Sequence, residues 1–366
     1  MLEQMFMTCS HCTDCYWLPQ CGGCDRLTCH QRVGRAMPDG PYDLHPGRPD
    51  FPERVAEVNG FSFSDIRALP LSLPRLPDAI PSLRRGDLGS RWDIASCIAT
   101  TIEPFVARRD PKPLRRLHRM PRHAVAVITG CCKDRVLERL WQRRDSPHLI
   151  AALRRERPCL IIAPDYSPYP DDARCTHQYN AKRSLIVYAR FRAAGLPCVP
   201  FASLHNEWDV RKWGAWLTLN RVVTAAGISF QTLQGHNDLW EQNARLLEAL
   251  DKSTERRIHW LIIGVASPTR IQELRRRVGH FSVITGQPVQ KGVRGYQVIN
   301  GVPVRSLVAD EGLLVRYNFQ DLQRSCRGNL VMDLIEPSLD VPRKRSKPED
   351  RPLAPGDASP QLALLP

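Results

Sequence analysis

PCLIIAPDYSPYPDDARCTHQYNAKRSL, residues 158–185, holds an apolar strand, a polar loop and the start of a helix in 28 positions. Leu160, Ile161, Ile162 and Ala163 form an unbroken apolar run, the pattern of a strand covered on both faces and hence of a parallel sheet. Asp165 follows immediately. In parallel α/β architectures, side chains at the carboxyl ends of strands line the ligand crevice. Asp165, Tyr166 and Ser167, and the loop running on to Asn180, Lys182 and Arg183, are therefore the first candidates for chemistry. The plainer reading is that Asp165 caps a turn or pairs with Arg183.

Working outward, the same alternation recurs. AVAVIT (124–129), PCVPFAS (197–203), GISFQTL (227–233), IHWLIIGV (258–265) and HFSVITG (280–286) read as further strands. Helices are expected at Asp134–Arg143, 147–156, Ala181–Ala194, Asp209–Leu219, Asp238–Leu250 and Thr269–Val278. Regular βα alternation implies a parallel sheet. The spacing predicts a (β/α)8-like barrel, complete or with irregular closing strands drawn from 54–106 or 296–320, with an open doubly wound sheet as the alternative. No G-x-G-x-x-G and no G-x4-G-K-[ST] occurs, which argues against dinucleotide and P-loop chemistry.

Ahead of this domain, Cys9, Cys12, Cys15, Cys21, Cys24 and Cys29 follow C-x2-C-x2-C-x5-C-x2-C-x4-C-H. Cys-x-x-Cys spacing lets two thiolates reach one metal from a tight turn, and Gly22 and Gly23 permit that turn. Zinc is the first expectation and an iron–sulfur cluster the second, since six thiolates exceed the four that either needs. Residues 1–36 form this segment, 37–120 a proline-rich linker and lead-in, 121–336 the barrel and 337–366 a disordered tail.

The 366 residues carry a net charge of +14 and a pI near 9.4. The excess clusters at Arg108, Arg109, Lys112, Arg115, Arg116, Arg119 and Arg122, at Arg143, Arg144, Arg154, Arg155 and Arg157, and at Arg270, Arg275, Arg276 and Arg277. Clustered arginine favours phosphate-bearing partners, so nucleic acid is the expected one. No run is long enough to span a membrane and no secretory leader is visible, which makes the expected location cytoplasmic. Oligomeric state is not legible.

The strand ends would gather Thr129, Cys131, Cys132, Asp165, Ser167, Ser203, His205, Asn206, Glu207, Gln231, His236, Thr285, Gln287 and Lys291. Asp165 and Glu207 are the candidate acid and base, or one of them the nucleophile, since a ring-base exchange needs a carboxylate to attack the sugar carbon and an acid to protonate the departing base. Asn206 and Gln231 suit a base edge, and Lys291 with Arg294 a phosphate. His205 and His236 are read as single polar contacts. Trp208, Trp213 and Trp216 sit at helical spacing and are assigned to the core.

APDYS, N-A-K-R-S-L (180–185), ISFQTL, HWLIIG and P-x-x-K (288–291) together resemble an uncharacterised family of bacterial, phage and plasmid proteins. The barrel is also similar, remotely, to tRNA-guanine transglycosylases. That resemblance implies base exchange or modification on DNA or RNA, whereas Asp165 is the leading catalytic candidate on its strand-end placement and the basic clusters. The resemblance also places an aspartate–serine pair where this chain has Thr285 and Gly286. The transglycosylase zinc site follows its barrel, so its ligands do not map onto the N-terminal cysteines. The alternatives are a non-catalytic nucleic-acid-binding protein and a small-molecule barrel enzyme, the latter marked by an apolar pocket with few arginines at its mouth.

Overall fold

A computed structural model of the chain describes residues 50–59, 63–83, 95–108, 111–166, 174–233, 236–308 and 310–328. The cysteine run at 9–29, Ser167 and the tail lie outside the described residues. Eight short parallel strands form one sheet: β1 (Ala79–Leu83), β2 (Cys97–Thr101), β3 (Val125–Gly130), β4 (Leu160–Pro164), β5 (Cys198–Val199), β6 (Ala225–Ser229), β7 (His259–Ile263) and β8 (Phe281–Thr285). They stand side by side in the order β5-β4-β3-β2-β1-β8-β7-β6. The two ends of that order meet. Phe201, just past β5, bridges Gly227 of β6, with Ala202 N–H donating to Gly227 O and Gly227 N–H to Pro200 O, both at 2.8 Å. The sheet is thereby an eight-stranded α/β barrel.

Nearly every strand residue is buried, because side chains alternate between a packed interior and the enclosing helices. At the closing seam the interior is tight. A side chain at Gly227 would overlap Ile162 Cγ2 and press on Phe201 Cδ2 at 3.3 Å. Gly227→Ala is expected to lower stability by about 1–3 kcal/mol through overpacking, measured by denaturant unfolding. An unchanged midpoint would mean that the seam is loose.

The outer layer comprises α1 (Phe51–Asn59), α2 (Glu103–Ala107), α3 (Leu114–Leu117), α4 (Asp134–Arg143), α5 (Pro147–Glu156), α6 (Arg174–Ala193), α7 (Glu207–Leu219), α8 (Asn237–Ser253), α9 (Pro268–Arg277), α10 (Gln287–Gly292) and α11 (Glu311–Arg327). The amphipathic α4 buries Val136, Leu137, Leu140 and Trp141. Trp213 and Trp216 are core residues of α7, at 2% and 1% exposure, as their spacing implies, but Trp208 is only half-buried, with Arg211 4.5 Å over its ring.

Three expectations are corrected. The barrel begins at Ala79, inside the segment assigned to the lead-in, rather than at 121, and of the two stretches expected to supply closing strands 54–106 does so, with β1 and β2. Pro81 hid β1, since proline is seldom found in a central strand, yet here it pairs with Thr285 in the β1–β8 ladder. Residues 296–305 add no closing strand; they form an antiparallel hairpin, β9 (Tyr296–Ile299) with β10 (Val302–Arg305), outside the barrel. The hairpin is tied to α11 through Asn318 and Asp321, which accept from the Val298, Asn300 and Gly301 backbone amides. Finally, α6 starts at Arg174 rather than Ala181, so Asn180 is helical. Its inward positions are the polar Thr176, His177 and Gln178, all buried, which give no aliphatic periodicity to read.

Candidate active site at the barrel mouth

The carboxyl ends of the strands open onto a cavity of about 660 Å3. Ser82 and Leu83 reach it from β1, Thr100 and Thr101 from β2, Thr129, Cys131 and Cys132 from the end of β3, and Asp165 from the end of β4. Gln231, Ile263, Thr285 and Gln290 complete the opposite wall. The volume suits a small metabolite or a single nucleotide.

Asp165 occupies the place its sequence position promised. It is 9% exposed, and its N–H donates to Gly130 O at 3.3 Å. The β3–β4 register shifts between Thr129 and Gly130, a local irregularity of the kind found beside active sites. Gly130 packs directly on the Pro164 backbone, where any side chain would overlap Pro164 Cα. That contact brings Cys131 Sγ to 3.9 Å from Asp165 Oδ2, with the thiol as donor. Burial, and then the Asp165 charge, hold the Cys131 thiol well above its ordinary pKa. The Cys132 thiol is pushed up to about 12 by burial and by Glu103, Asp165 and Asp134. Neither cysteine is a thiolate at neutral pH, so the site is organised around a carboxylate, not a sulfur nucleophile.

His118, which no strand-end argument reached, lies in the cavity wall at 1% exposure, with Nε2 2.9 Å from Thr100 Oγ1. Burial pushes its pKa down to about 4, so the ring is neutral at physiological pH. A depressed histidine pKa means that the unfolded chain takes up the proton first as pH falls. Stability present above pH 6.5 is then lost towards pH 4, by roughly 3 kcal/mol for this one group. Urea titrations from pH 7 to 4.5 should show that slope reduced in His118→Asn. His259, whose pKa is also lowered by burial, will retain part of it.

Other sequence candidates lie elsewhere. Glu207 is exposed on the first turn of α7 and does not line the cavity, so it is not the partner of Asp165. Asn206 is the cap of α7, its Oδ1 accepting from Trp208 N–H at 3.0 Å and Asp209 N–H at 3.2 Å. Lys182, Arg183 and Asn180 are buried in α6, away from the cavity. Arg183 pairs with Glu138 at 2.8 Å, lies 3.9 Å over the Tyr166 ring and 5.0 Å over Tyr179, and bonds Asn180 Oδ1. It is a packing element. Lys291 lies 5.7 Å over Tyr296, and neither it nor Arg294 lines the cavity. Gln231 does, opening a 3-10 turn after β6. His205 stacks on His177 with centroids 3.8 Å apart.

Much of the clustered arginine is structural. Arg277 joins Glu241, Glu248 and Glu273 between α8 and α9. Arg143 donates to Val106 O, Arg115 to Pro121 O and Ala124 O, and Arg154 to Ala194 O. Arg108, Lys112 and Lys133 differ. They line the cavity and make no ion pair or side-chain hydrogen bond among the described residues. Arg108 and Lys112 stand in the β2–β3 connection, which was assigned to the lead-in, and Lys133 directly follows the strand-end cysteines Cys131 and Cys132.

Among the described residues, no group of three or more histidine, cysteine, aspartate or glutamate side chains is placed to hold a metal ion, and no helix is long and apolar enough to cross a membrane. No family model matches the sequence, and no curated protein matches it. Among solved structures, the chain is similar to a proposed fructose-1,6-biphosphate aldolase from Coccidioides immitis, at 11% identity, covering 75% of this chain and 92% of that one with a TM-score of 0.35, a likeness that carries no statement about activity.

Proposed function

We propose that the chain is an enzyme that acts on a small molecule held in the barrel mouth, with Asp165 as the residue that moves a proton at the reacting centre. The observation that carries this reading is a buried carboxylate at the edge of a 660 Å3 cavity on the carboxyl side of a parallel barrel. Raised thiol pKa values leave Cys131 and Cys132 as neutral groups there, with the Cys131 S–H directed at Asp165. Neutral His118 adds a hydrogen-bonding group that need not change charge during turnover.

The expectation of a nucleic-acid substrate rests on the arginine clusters. Several of those arginines bind helices and loops to one another, and one arginine, Arg108, lines the cavity. A base swung out of a strand would fit the volume, so the test includes it. Wild-type and Asp165→Asn protein are each incubated with a cell metabolite extract and with a mixed oligonucleotide pool, and the species consumed are followed by mass spectrometry. Loss of a low-mass compound with the wild type alone supports the proposal. Consumption or base exchange confined to the oligonucleotides sinks it.

A further inference from the structure

The cavity lining carries charges of both signs. Glu103, Asp134 and Asp165 all act on the Cys132 thiol, with no cation among the charges acting on it. The positive charges of the lining are Arg108, Lys112 and Lys133, which come from the segments that follow α2 and β3. Lys112 and Lys133 are exposed at the rim and Arg108 is half-buried. No carboxylate of the cavity lies within ion-pairing distance of any of them among the described residues. Cations that face a cavity without a protein counter-charge are poised for an anion.

His118 also lines the cavity. The residue is 1% exposed, its Nδ1 is out of contact with solvent, and no protein group bonds that atom among the described residues. If the Thr100 hydroxyl donates to Nε2, Nδ1 carries the hydrogen and becomes a donor without an acceptor. That atom is closed off from solvent, so it offers no contact to a ligand in the open cavity.

We propose that Arg108, Lys112 and Lys133 form a subsite for the phosphate of a small phosphomonoester. Three cations match a dianion better than a carboxylate, and a phosphodiester offers a single charge that need not enter a cavity. The proposal rests on the cavity being the ligand site, as in the function proposed above, but not on Asp165 being catalytic.

The test is calorimetric titration with inorganic phosphate and glycerol 3-phosphate, with acetate and a single-stranded oligonucleotide compared at matched ionic strength. Wild-type protein should bind one equivalent of glycerol 3-phosphate saturably. Arg108→Gln/Lys112→Gln should bind it roughly ten-fold more weakly or worse, the loss expected when charge-assisted hydrogen bonds are removed. Lys112→Gln/Lys133→Gln changes only exposed side chains, so it should show the weakening with the fold intact. Asp165→Asn should bind no more weakly than wild type even if it has lost no turnover, which separates failure of the catalytic reading from failure of this one. Absence of saturable phosphate binding, affinity unmoved by both double variants, or acetate or oligonucleotide binding in place of glycerol 3-phosphate would overturn the subsite.

Discussion

Replacing Asp165 by asparagine is expected to reduce turnover of the substrate by about 10²–10⁴-fold, the contribution typical of a positioned acid or base. The change is nearly isosteric. It removes the charge that Cys131 Sγ meets at 3.9 Å but leaves the backbone bond from Asp165 N–H to Gly130 O in place. The folded state should therefore survive, with a stability change of about 1 kcal/mol or less, in the range of ordinary substitutions. The Cys132 thiol offers a readout separate from activity. Asp165 is one of three carboxylates that raise it, so Asp165→Asn should make Cys132 more reactive towards a thiol reagent at pH 8 to 9. Glu207→Gln is the matched control. That side chain is exposed outside the cavity, and turnover should be unchanged.

The second large effect concerns stability. Arg183→Met removes a cation that is 1% exposed, paired with Glu138 at 2.8 Å and packed against Tyr166, Tyr179 and Trp141. Deleting one partner of a buried pair leaves the other uncompensated, at a cost of about 3–5 kcal/mol. Glu138 keeps some solvent contact, at 16% side-chain exposure, and a second cation, Arg54, at 3.9 Å, which moderate its share. Much of the loss should come from the aromatic rings that the guanidinium holds. Adding Glu138→Leu to Arg183→Met should recover part of the stability in denaturant melts, because the pair would then be replaced by apolar contact. If Arg183→Met unfolds at the wild-type midpoint but fails to bind ligand, Arg183 belongs to the site after all, and the packing role given to it here is wrong.

The contrast between Asp165 and Arg183 shows what could be read from residues 158–185. The apolar run ending at Pro164 located a strand, and the strand located Asp165, because the rule linking strand ends to ligand crevices needs only the strand's direction. Lys182, Arg183 and Asn180 sat in the same stretch but required knowing where the next helix begins. Buried His177, Gln178 and Asn180 make the first turns of α6 look like a loop, since their burial depends on tertiary contacts that no local pattern encodes. The barrel itself was legible from six strands. The other two were hidden by Pro81 and by the brevity of Cys97–Thr101, and with them went the β2–β3 connection that supplies Arg108, Lys112 and His118. The arginine clusters misled in a different way. Charge counts do not distinguish Arg277, held by three glutamates, from Arg108, which has no ion pair among the described residues.

Everything proposed for this chain depends on chemistry taking place where the eight strands open. The direct measurement is a crystal structure of Asp165→Asn soaked with whichever compound the wild-type protein consumes. Density for that compound inside the mouth, with a reacting atom within hydrogen-bonding reach of residue 165, is the predicted result. A ligand seated on the outer helices, with the mouth holding only solvent, would contradict it.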